Sequence, residues 1–421
     1  MNQEKQSYFP SIDDVKAAAK TIKNVSAVTP LSSSLRYSKR FNADIFFKRE
    51  DLQQVRSYKI RGAYNKLNSL TSKQSESGVV CASAGNHAQG VALSCKLLKI
   101  KGTIYMPAPT PNQKVEQVKM FGEDFIEIKL EGDTFDDAYH AAMLECEKLG
   151  KTFIHPFNDE KVIEGQATIG LEIIQQSETP IDYVFLAVGG GGLASGLSTV
   201  FKELSPSTKI IGVEPEGAPS MTESIKNNKN TTLESIEKFI DGAAVKRVGD
   251  LNFEICKVNL DDMITVPEGK VCETILELYN KDAVVVEPAG ALSIAALDFY
   301  ADEIKGKKVV CVVSGSNNDI TRTSEIKERA LLYANLKHYF IVKFPQRAGA
   351  LKDFVVDILG ENDDITYFQY AKKTNRENGS AVVGVQLKSA TDLEPLIAKM
   401  MAHNFYGDYL NDKPDLFQFL V

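Results

Sequence analysis

Five segments of the 421-residue sequence put reactive or anion-binding residue types where a strand would end or a helix would begin. In the first, at 46–67, the cluster Lys48-Arg49-Glu50-Asp51 closes a strand and Lys59 stands just before Arg61-Gly62. A lysine at the positive end of a helix is less stable as a cation, and burial lowers its pKa further. A free amine near neutral pH is what Schiff-base chemistry needs. On local sequence alone the commoner reading is a solvated surface lysine. In the second segment, 81–90, the strand GVVCASA runs through Gly85-Asn86-His87 into a helix. Such a turn aims backbone N–H groups at an anion, and Ser83 and Asn86 add side-chain hydrogen bonds. The plain alternative is a capped strand–helix turn with a structural His87.

The third segment carries Gly189, Gly190, Gly191 and Gly192 between a strand and a helix. Without side chains, several N–H groups can approach one phosphate. Whose phosphate stays open. Gly189-x-Gly191-x-x-Ala194 also fits the looser dinucleotide fingerprint, and Glu214 falls near the place of a ribose-binding acid. A nicotinamide-dependent oxidoreductase is therefore a competing reading. The fourth segment closes a buried strand with Ser314-Gly315-Ser316-Asn317, where Ser314 either meets a ring nitrogen or caps a helix. The fifth, Glu287-Pro288, opens a helix of small residues, and an acid there is also ordinary dipole matching.

The elements that must position these groups are legible in outline. From about 45 to 330, short apolar runs alternate with amphipathic stretches: ADIFFK, GVVCASA, KGTIYMP, KTFIHPF, DYVFLAVGG, KIIGVEPE and KKVVCVVSGS. Strands alternating with helices predict α/β architecture with a mostly parallel open sheet, and ligands there bind at the carboxyl ends of strands. Ser11 and Asp14 predict a capped helix over 11–23. The last 85 or so residues read β-α-β-β-α-β, the ferredoxin-like unit. Its expected parts are strand 338–344, a helix with Leu351, Phe354, Val355, Ile358 and Leu359 on one face, strands DITYFQYAKK and SAVVGVQLK, a helix boxed by Thr391 and Glu394, and a closing strand LFQFLV. The expected division is a two-lobed catalytic part over 1–325 with its smaller lobe near 53–155, a linker over 326–337, and a regulatory domain over 338–421.

Composition narrows the function. Forty-nine basic against 56 acidic residues, net −7, argues against a nucleic-acid binder. No run of about 18 apolar residues is present, and no apolar signal core opens the chain, so a cytoplasmic protein without membrane partners is expected. The six scattered cysteines predict buried free thiols, and neither they nor the five histidines have metal-ligand spacing, so no metal is expected.

Taken together and in order, SYKIRGA, SAGNHAQG, GGGGL, EPAGA and VVSGSN resemble the fold-type II pyridoxal-phosphate enzymes, a two-lobed fold like that of the tryptophan synthase β chain. The likeness covers about 10–330 and is closest to the threonine dehydratases (threonine deaminases) of isoleucine synthesis. FPQRAGALKDF resembles the ACT-like regulatory domain of that family, present once as in the short form. The resemblance implies that Lys59 holds pyridoxal 5'-phosphate and serves as base, and that Asn86 meets its ring hydroxyl. It implies that Gly189 to Gly192 with the N–H of Leu193 cradle the phosphate, and that Ser314 faces the ring nitrogen. Ser83, Ala84, Gly85, Asn86 and His87 would receive the substrate carboxylate. The implied reaction is deamination of L-threonine, with L-serine as second substrate: elimination of water, then hydrolysis of the resulting enamine, which from threonine gives 2-oxobutanoate and ammonia. Isoleucine would inhibit, valine oppose it, and the chain would form a homotetramer.

Some positions depart from the family pattern. Ala84 stands where racemases of this family carry a second serine, which argues against serine racemase activity. Ser220 stands where some relatives place an acidic cation ligand, beside Glu214 and Ala218. Arg56 and Tyr58 replace residues that are often apolar, and Gln346 and Ala348 stand where Glu and Pro are usual in the regulatory motif. Two other readings remain at this point: a catabolic serine/threonine dehydratase, and a non-enzymatic amino-acid sensor whose working part is the C-terminal unit.

Overall fold

The computed structural model describes residues 8–370 and 378–413, and its contacts divide the chain into two compact units. Unit 1 comprises residues 1–268 and 278–318, and unit 2 comprises 269–277 and 319–421. The stretch expected as a linker is helical within Thr323–Tyr333.

In chain order unit 1 begins with β1 (Leu31–Ser33) and β2 (Asp44–Arg49). Next come β3 (Val79–Ala82), β4 (Gly102–Met106), β5 (Ile126–Leu130) and β6 (Thr152–Phe153). They are followed by β7 (Tyr183–Ala187), β8 (Lys209–Pro215), β9 (Asp262–Val266) and β10 (Lys308–Val313). One six-stranded sheet has the order β1-β2-β10-β7-β8-β9, and a four-stranded sheet has the order β5-β4-β3-β6. Every pairing is parallel except β1 with β2. The mostly parallel α/β architecture is thus as expected. Strands β3, β4 and β7 are buried along their whole length, which explains the near-continuous apolar runs of β3 and β7 and the lack of charge in β4. The strands the sequence did not announce are β1, β5 and β9. Each lies at a sheet edge, half-exposed, where polar residues interrupt the apolar ones.

Two helices of unit 1 cross at backbone contact. A Cβ on Gly165 would sit 2.6 Å from the Arg61 carbonyl, and one on Gly62 would sit 2.8 Å from that of Val162. The helix Lys59–Asn68 is thereby seated on the helix Glu160–Gln176. Beside the crossing lies a buried four-charge grid. Arg61 spends Nε and Nη2 on Glu50 at 2.8 Å each, and Nη1 and Nη2 on Glu172 at 2.6 and 2.9 Å. Lys48 reaches Glu172 at 2.6 Å and the Thr29 carbonyl at 2.7 Å. Two cations meet two carboxylates, so no net charge is buried.

Unit 2 holds β11 (Lys337–Pro345), β12 (Asp364–Tyr370), β13 (Asn378–Gln386) and β14 (Tyr406–Tyr409). The sheet runs β12-β13-β11-β14, antiparallel throughout, which is ferredoxin-like order. The fourth strand is therefore Tyr406–Tyr409. The expected strand LFQFLV lies outside the described residues. The first helix also differs from expectation. It is α-helical over Ala350–Asp353 and widens to a π turn over Phe354–Ile358. Ala350, Phe354 and Ile358 face the core, and Leu351 and Val355 are exposed. The second helix is capped by Ser389 and Asp392 rather than by Thr391 and Glu394, two residues earlier than the pattern suggested.

The Ser11–Asp14 capping box forms as expected. All six cysteines are free and buried. No helix among the described residues is long and apolar enough to cross a membrane.

Candidate functional site

The carboxyl ends of three parallel strands converge on one cavity in unit 1. Its wall is formed by Tyr58, Lys59, Asn86, Ala187, Gly189, Gly242, Glu287, Ala289 and Ser314. Four segments that the sequence singled out separately therefore meet: Lys59, Asn86, Gly189 and Ser314. Glu287, which the sequence weighted only as a helix-dipole partner, is a fifth.

Lys59 opens its helix and donates from Nζ to the Pro156 carbonyl at 2.9 Å. That carbonyl is presented by a turn folded around His155, whose Nδ1 accepts from the N–H groups of Phe157 and Asn158 at 3.2 and 2.9 Å. Lys59 borders the cavity, but protein encloses the amine, and burial pushes its pKa down to about 8 against the opposing pull of Glu287. The ring of Tyr58 lies 5.2 Å from Nζ. A lysine so placed carries a substantial neutral fraction just above neutral pH.

The loop after β3 distributes its residues unequally. Ser83 Oγ accepts from the N–H of Gly85 at 3.2 Å and closes the turn. Ala84 packs against the apolar cluster built on β3 and β4. Gly85 has open space where a side chain would be. His87 is buried and its Nε2 meets the Ile154 carbonyl at 2.9 Å; burial pushes it down to about 3, so it stays neutral and structural. The helix Asn86–Leu98 follows Gly85 with no side-chain cap, so its first N–H groups stay available to an anion. Asn86 donates from Nδ2 to Glu287 Oε1 at 2.7 Å, and its own Oδ1 is buried without a partner.

The glycine run behaves differently from the simplest expectation. Only Gly189 lies on the cavity wall. A Cβ on Gly190 would meet the Phe157 ring at 2.2 Å, and one on Gly192 would meet Phe157 Cβ at 3.0 Å. Gly191 has φ +91°, and a Cβ there would sit 2.8 Å from Asn252 Cβ. The missing side chains thus let the loop be backed by protein as much as approached by a ligand. Asn252 and the N–H of Gly249 hold the Gly190 carbonyl at 2.9 and 3.1 Å. The helix Gly192–Leu204 has no side-chain cap, and its first-turn N–H groups, including that of Leu193, have no acceptor within the helix.

Glu287 and Ser314 complete the wall. Both are nearly inaccessible. Glu287 is admitted because Gly315 lacks a side chain: a Cβ there would meet Glu287 Oε1 at 2.2 Å. Burial pushes Glu287 up to about 7, Asp241 adds to this, and Asn86, Lys114 and Lys59 oppose it. Glu214 plays no part in this cavity. It accepts from the N–H groups of Met221 and Thr222 at 2.6 and 2.8 Å and from Thr222 Oγ1 at 2.7 Å. That corrects the ribose-acid reading, because Glu214 is fully buried, lies off the cavity wall and is engaged by its own loop. Ser220 turns its hydroxyl to the Val245 carbonyl. Among the described residues no group of three His, Cys, Asp or Glu side chains could hold a metal ion.

The residues present fit pyridoxal phosphate. An amine of lowered pKa, an unpartnered buried amide oxygen, a buried neutral hydroxyl and an open helix start share one enclosure. These suit an aldehyde, a ring hydroxyl, a ring nitrogen and a phosphate. The sequence did not point to Gly242 or Pro156 as parts of the site, and noted Tyr58 only as a departure within SYKIRGA; only the fold brings the first two to Lys59.

Comparison with known proteins agrees with this assembly. The family model of pyridoxal-phosphate dependent enzymes matches residues 22–315, and that of the C-terminal regulatory domain of threonine dehydratase matches 328–420. The chain is 54% identical over 417 residues to the biosynthetic L-threonine dehydratase of Bacillus subtilis, covering 99% of each chain. It is 53% identical over 410 residues to that of Halalkalibacterium halodurans, covering 97% of this chain and 99% of the other. The solved structure of processed threonine deaminase isoform 2 from Solanum lycopersicum superposes with TM-score 0.72 at 38% identity, over 77% of this chain and 96% of that one.

Proposed function

The chain belongs to the pyridoxal-phosphate dependent enzymes and carries the C-terminal regulatory domain of threonine dehydratase, and from that premise we propose that it is the biosynthetic L-threonine dehydratase of its cell. It converts L-threonine to 2-oxobutanoate and ammonia, the first step towards isoleucine. The observation that carries the reading is Lys59, an amine lowered to about 8, in one enclosure with Asn86, Gly189, Glu287 and Ser314.

Lys59, Asn86, the Gly189–Leu193 turn and Ser314 would hold the cofactor by its aldehyde, ring hydroxyl, phosphate and ring nitrogen respectively. Bound pyridoxal phosphate supplies the electron sink that makes the substrate Cα–H acidic. The rest falls to the protein. The first-turn N–H groups of Asn86–Leu98 bind the substrate carboxylate, and the open space beside Gly85 leaves room for it. Lys59, neutral in substantial fraction, accepts the Cα proton at Nζ. Ser314 offers a neutral hydroxyl where a carboxylate would hold a proton on the ring, so the site favours quick loss of the β-hydroxyl over longer-lived carbanion chemistry. Ala84 offers no hydroxyl on the opposite face of Cα, in keeping with elimination rather than racemisation.

The nicotinamide reading is set aside by the family membership and by the engaged Glu214. The regulatory domain favours a biosynthetic over a catabolic dehydratase. On the same grounds the effector is isoleucine, opposed by valine, with L-serine as second substrate. The assembly is a homotetramer working in the cytoplasm, and the catalytic and regulatory parts divide near 326–337. The test is turnover: purified protein with pyridoxal phosphate should form a keto acid from L-threonine, and Lys59→Ala should abolish it. Wild-type protein that binds the cofactor yet leaves threonine intact would refute the assignment.

A further inference from the structure

The contact between Asn86 and Glu287 joins the loop after β3 to the start of the helix Pro288–Ala295 inside the cavity wall. Asn86 Nδ2 donates to Glu287 Oε1 at 2.7 Å, while Asn86 Oδ1 is buried and unpartnered. A carboxamide has a donor end and an acceptor end, and the two exchange places by a half-turn of the side chain. Whichever end faces Glu287, the other is left for the ligand. We propose that Glu287 is a positioning residue that selects which end of the Asn86 carboxamide is offered to the bound cofactor.

The chemistry follows from the inventory of donors. An ionised Glu287 can only accept, so it takes Nδ2 and leaves Oδ1, an acceptor, facing the cofactor. A protonated Glu287 can donate to Oδ1, which turns Nδ2, a donor, towards the cofactor. A ring oxygen that has lost its proton needs that donor, whereas a ring hydroxyl needs the acceptor. The protonation of Glu287 is thereby coupled through one amide to the protonation of the ring oxygen, with no net change in the number of hydrogen bonds.

The surroundings make the switch accessible. Burial is the largest influence on Glu287 and brings it up to about 7; Asp241 pushes the same way, and Asn86, Lys114 and Lys59 push back. These groups come from the 241 loop and from the helices Asn86–Leu98, Asn112–Gly122 and Lys59–Asn68, and the Tyr58 phenol also feels Glu287. The carboxyl itself is held in place. Its backbone N–H donates to the Gly315 carbonyl at 3.1 Å, and Gly315 leaves the space that Oε1 fills.

The inference rests on the dehydratase reading, and the experiment separates the two. The long-wavelength absorbance of the lysine-bound cofactor is titrated from pH 6 to 9 in wild-type holoenzyme, Glu287→Gln and Asn86→Ala. Wild type should show an inflection near pH 7. In Glu287→Gln, which cannot ionise, that inflection should vanish, with kcat lowered about ten-fold and KM within about two-fold. In Asn86→Ala it should vanish as well, because the amide that connects Glu287 to the ring is gone. An inflection near pH 7 that survives in either variant overturns the proposal, as does a wild-type spectrum flat through that range. A wild type that takes up no cofactor at all refutes the dehydratase reading and takes this proposal with it.

Discussion

Replacing Arg61 with alanine tests the buried grid that seats the Lys59 helix. Arg61 and Glu50 are wholly buried, and the guanidinium has partners on Glu50, Glu172, Thr168 and the Ala27 carbonyl. Without it, Lys48 faces two carboxylates, and one negative charge is left uncompensated in the interior. Breaking a buried pair by removing one partner costs about 3–5 kcal/mol. In a chain of this size, unfolding as one unit, that lowers the thermal midpoint by roughly 3–6 °C. The pH dependence gives a second handle. In wild type, burial alone would raise Glu50, but Arg61 and Lys48 outweigh it and hold the carboxyl below its ordinary value. Its contribution is therefore present above the ordinary carboxylate range and lost as pH falls through the depressed value. In Arg61→Ala burial acts unopposed by Arg61, so the deficit should deepen as pH rises from 5 to 8. Adding Glu50→Gln should recover part of the loss. Thermal unfolding of the cofactor-free protein, followed by circular dichroism at both pH values, measures this. A loss below about 1 kcal/mol, or one unchanged by the second substitution, would refute the reasoning.

Other consequences can be checked directly. The rate at which cofactor-free protein attaches pyridoxal phosphate should climb up to about pH 8 and level off above it, where Lys59 has shed its proton; a rate still rising about tenfold per pH unit beyond pH 9 contradicts the burial argument. Gly190→Ala should cost about 1–3 kcal/mol of stability and weaken cofactor retention on dialysis, because its methyl would land 2.2 Å from the Phe157 ring; unchanged retention would show that the backing of this turn does not matter. Removing residues 336–421 should leave threonine turnover in place and erase its inhibition by isoleucine, measured as keto acid formed; inhibition persisting in the truncated enzyme would locate the effector elsewhere.

The parts of the fold that could be read from sequence are those whose burial is uniform. β3, β4, β7 and β10 are almost fully enclosed, so their charge-poor apolar runs stand out. β1, β5 and β9 are edge strands, where one side faces solvent and the pattern thins to residues a loop could carry. The regulatory helix misled for another reason: a periodicity of 3.6 fits Leu351 and Val355 to the apolar face, but the buried face runs through Ala350, Phe354 and Ile358 and leaves those two exposed. At the site, Lys59, Asn86, Gly189 and Ser314 each announced themselves by position at a strand end or helix start. Glu287 did not, because an acid before Pro at a helix start is common, and only the fold shows that it is buried against Asn86. Glu214 went the other way, since its spacing from the glycines fits a ribose acid although its oxygens are engaged by Met221 and Thr222.

The central claim is that one amine, at Lys59, carries the cofactor. Borohydride reduction of the purified enzyme followed by peptide mass spectrometry tests it most directly. The account predicts loss of the long-wavelength absorbance and a reduced pyridoxyl phosphate adduct on the peptide containing Lys59, absent in Lys59→Ala. An adduct on another lysine, or none from protein that holds the cofactor, would contradict it.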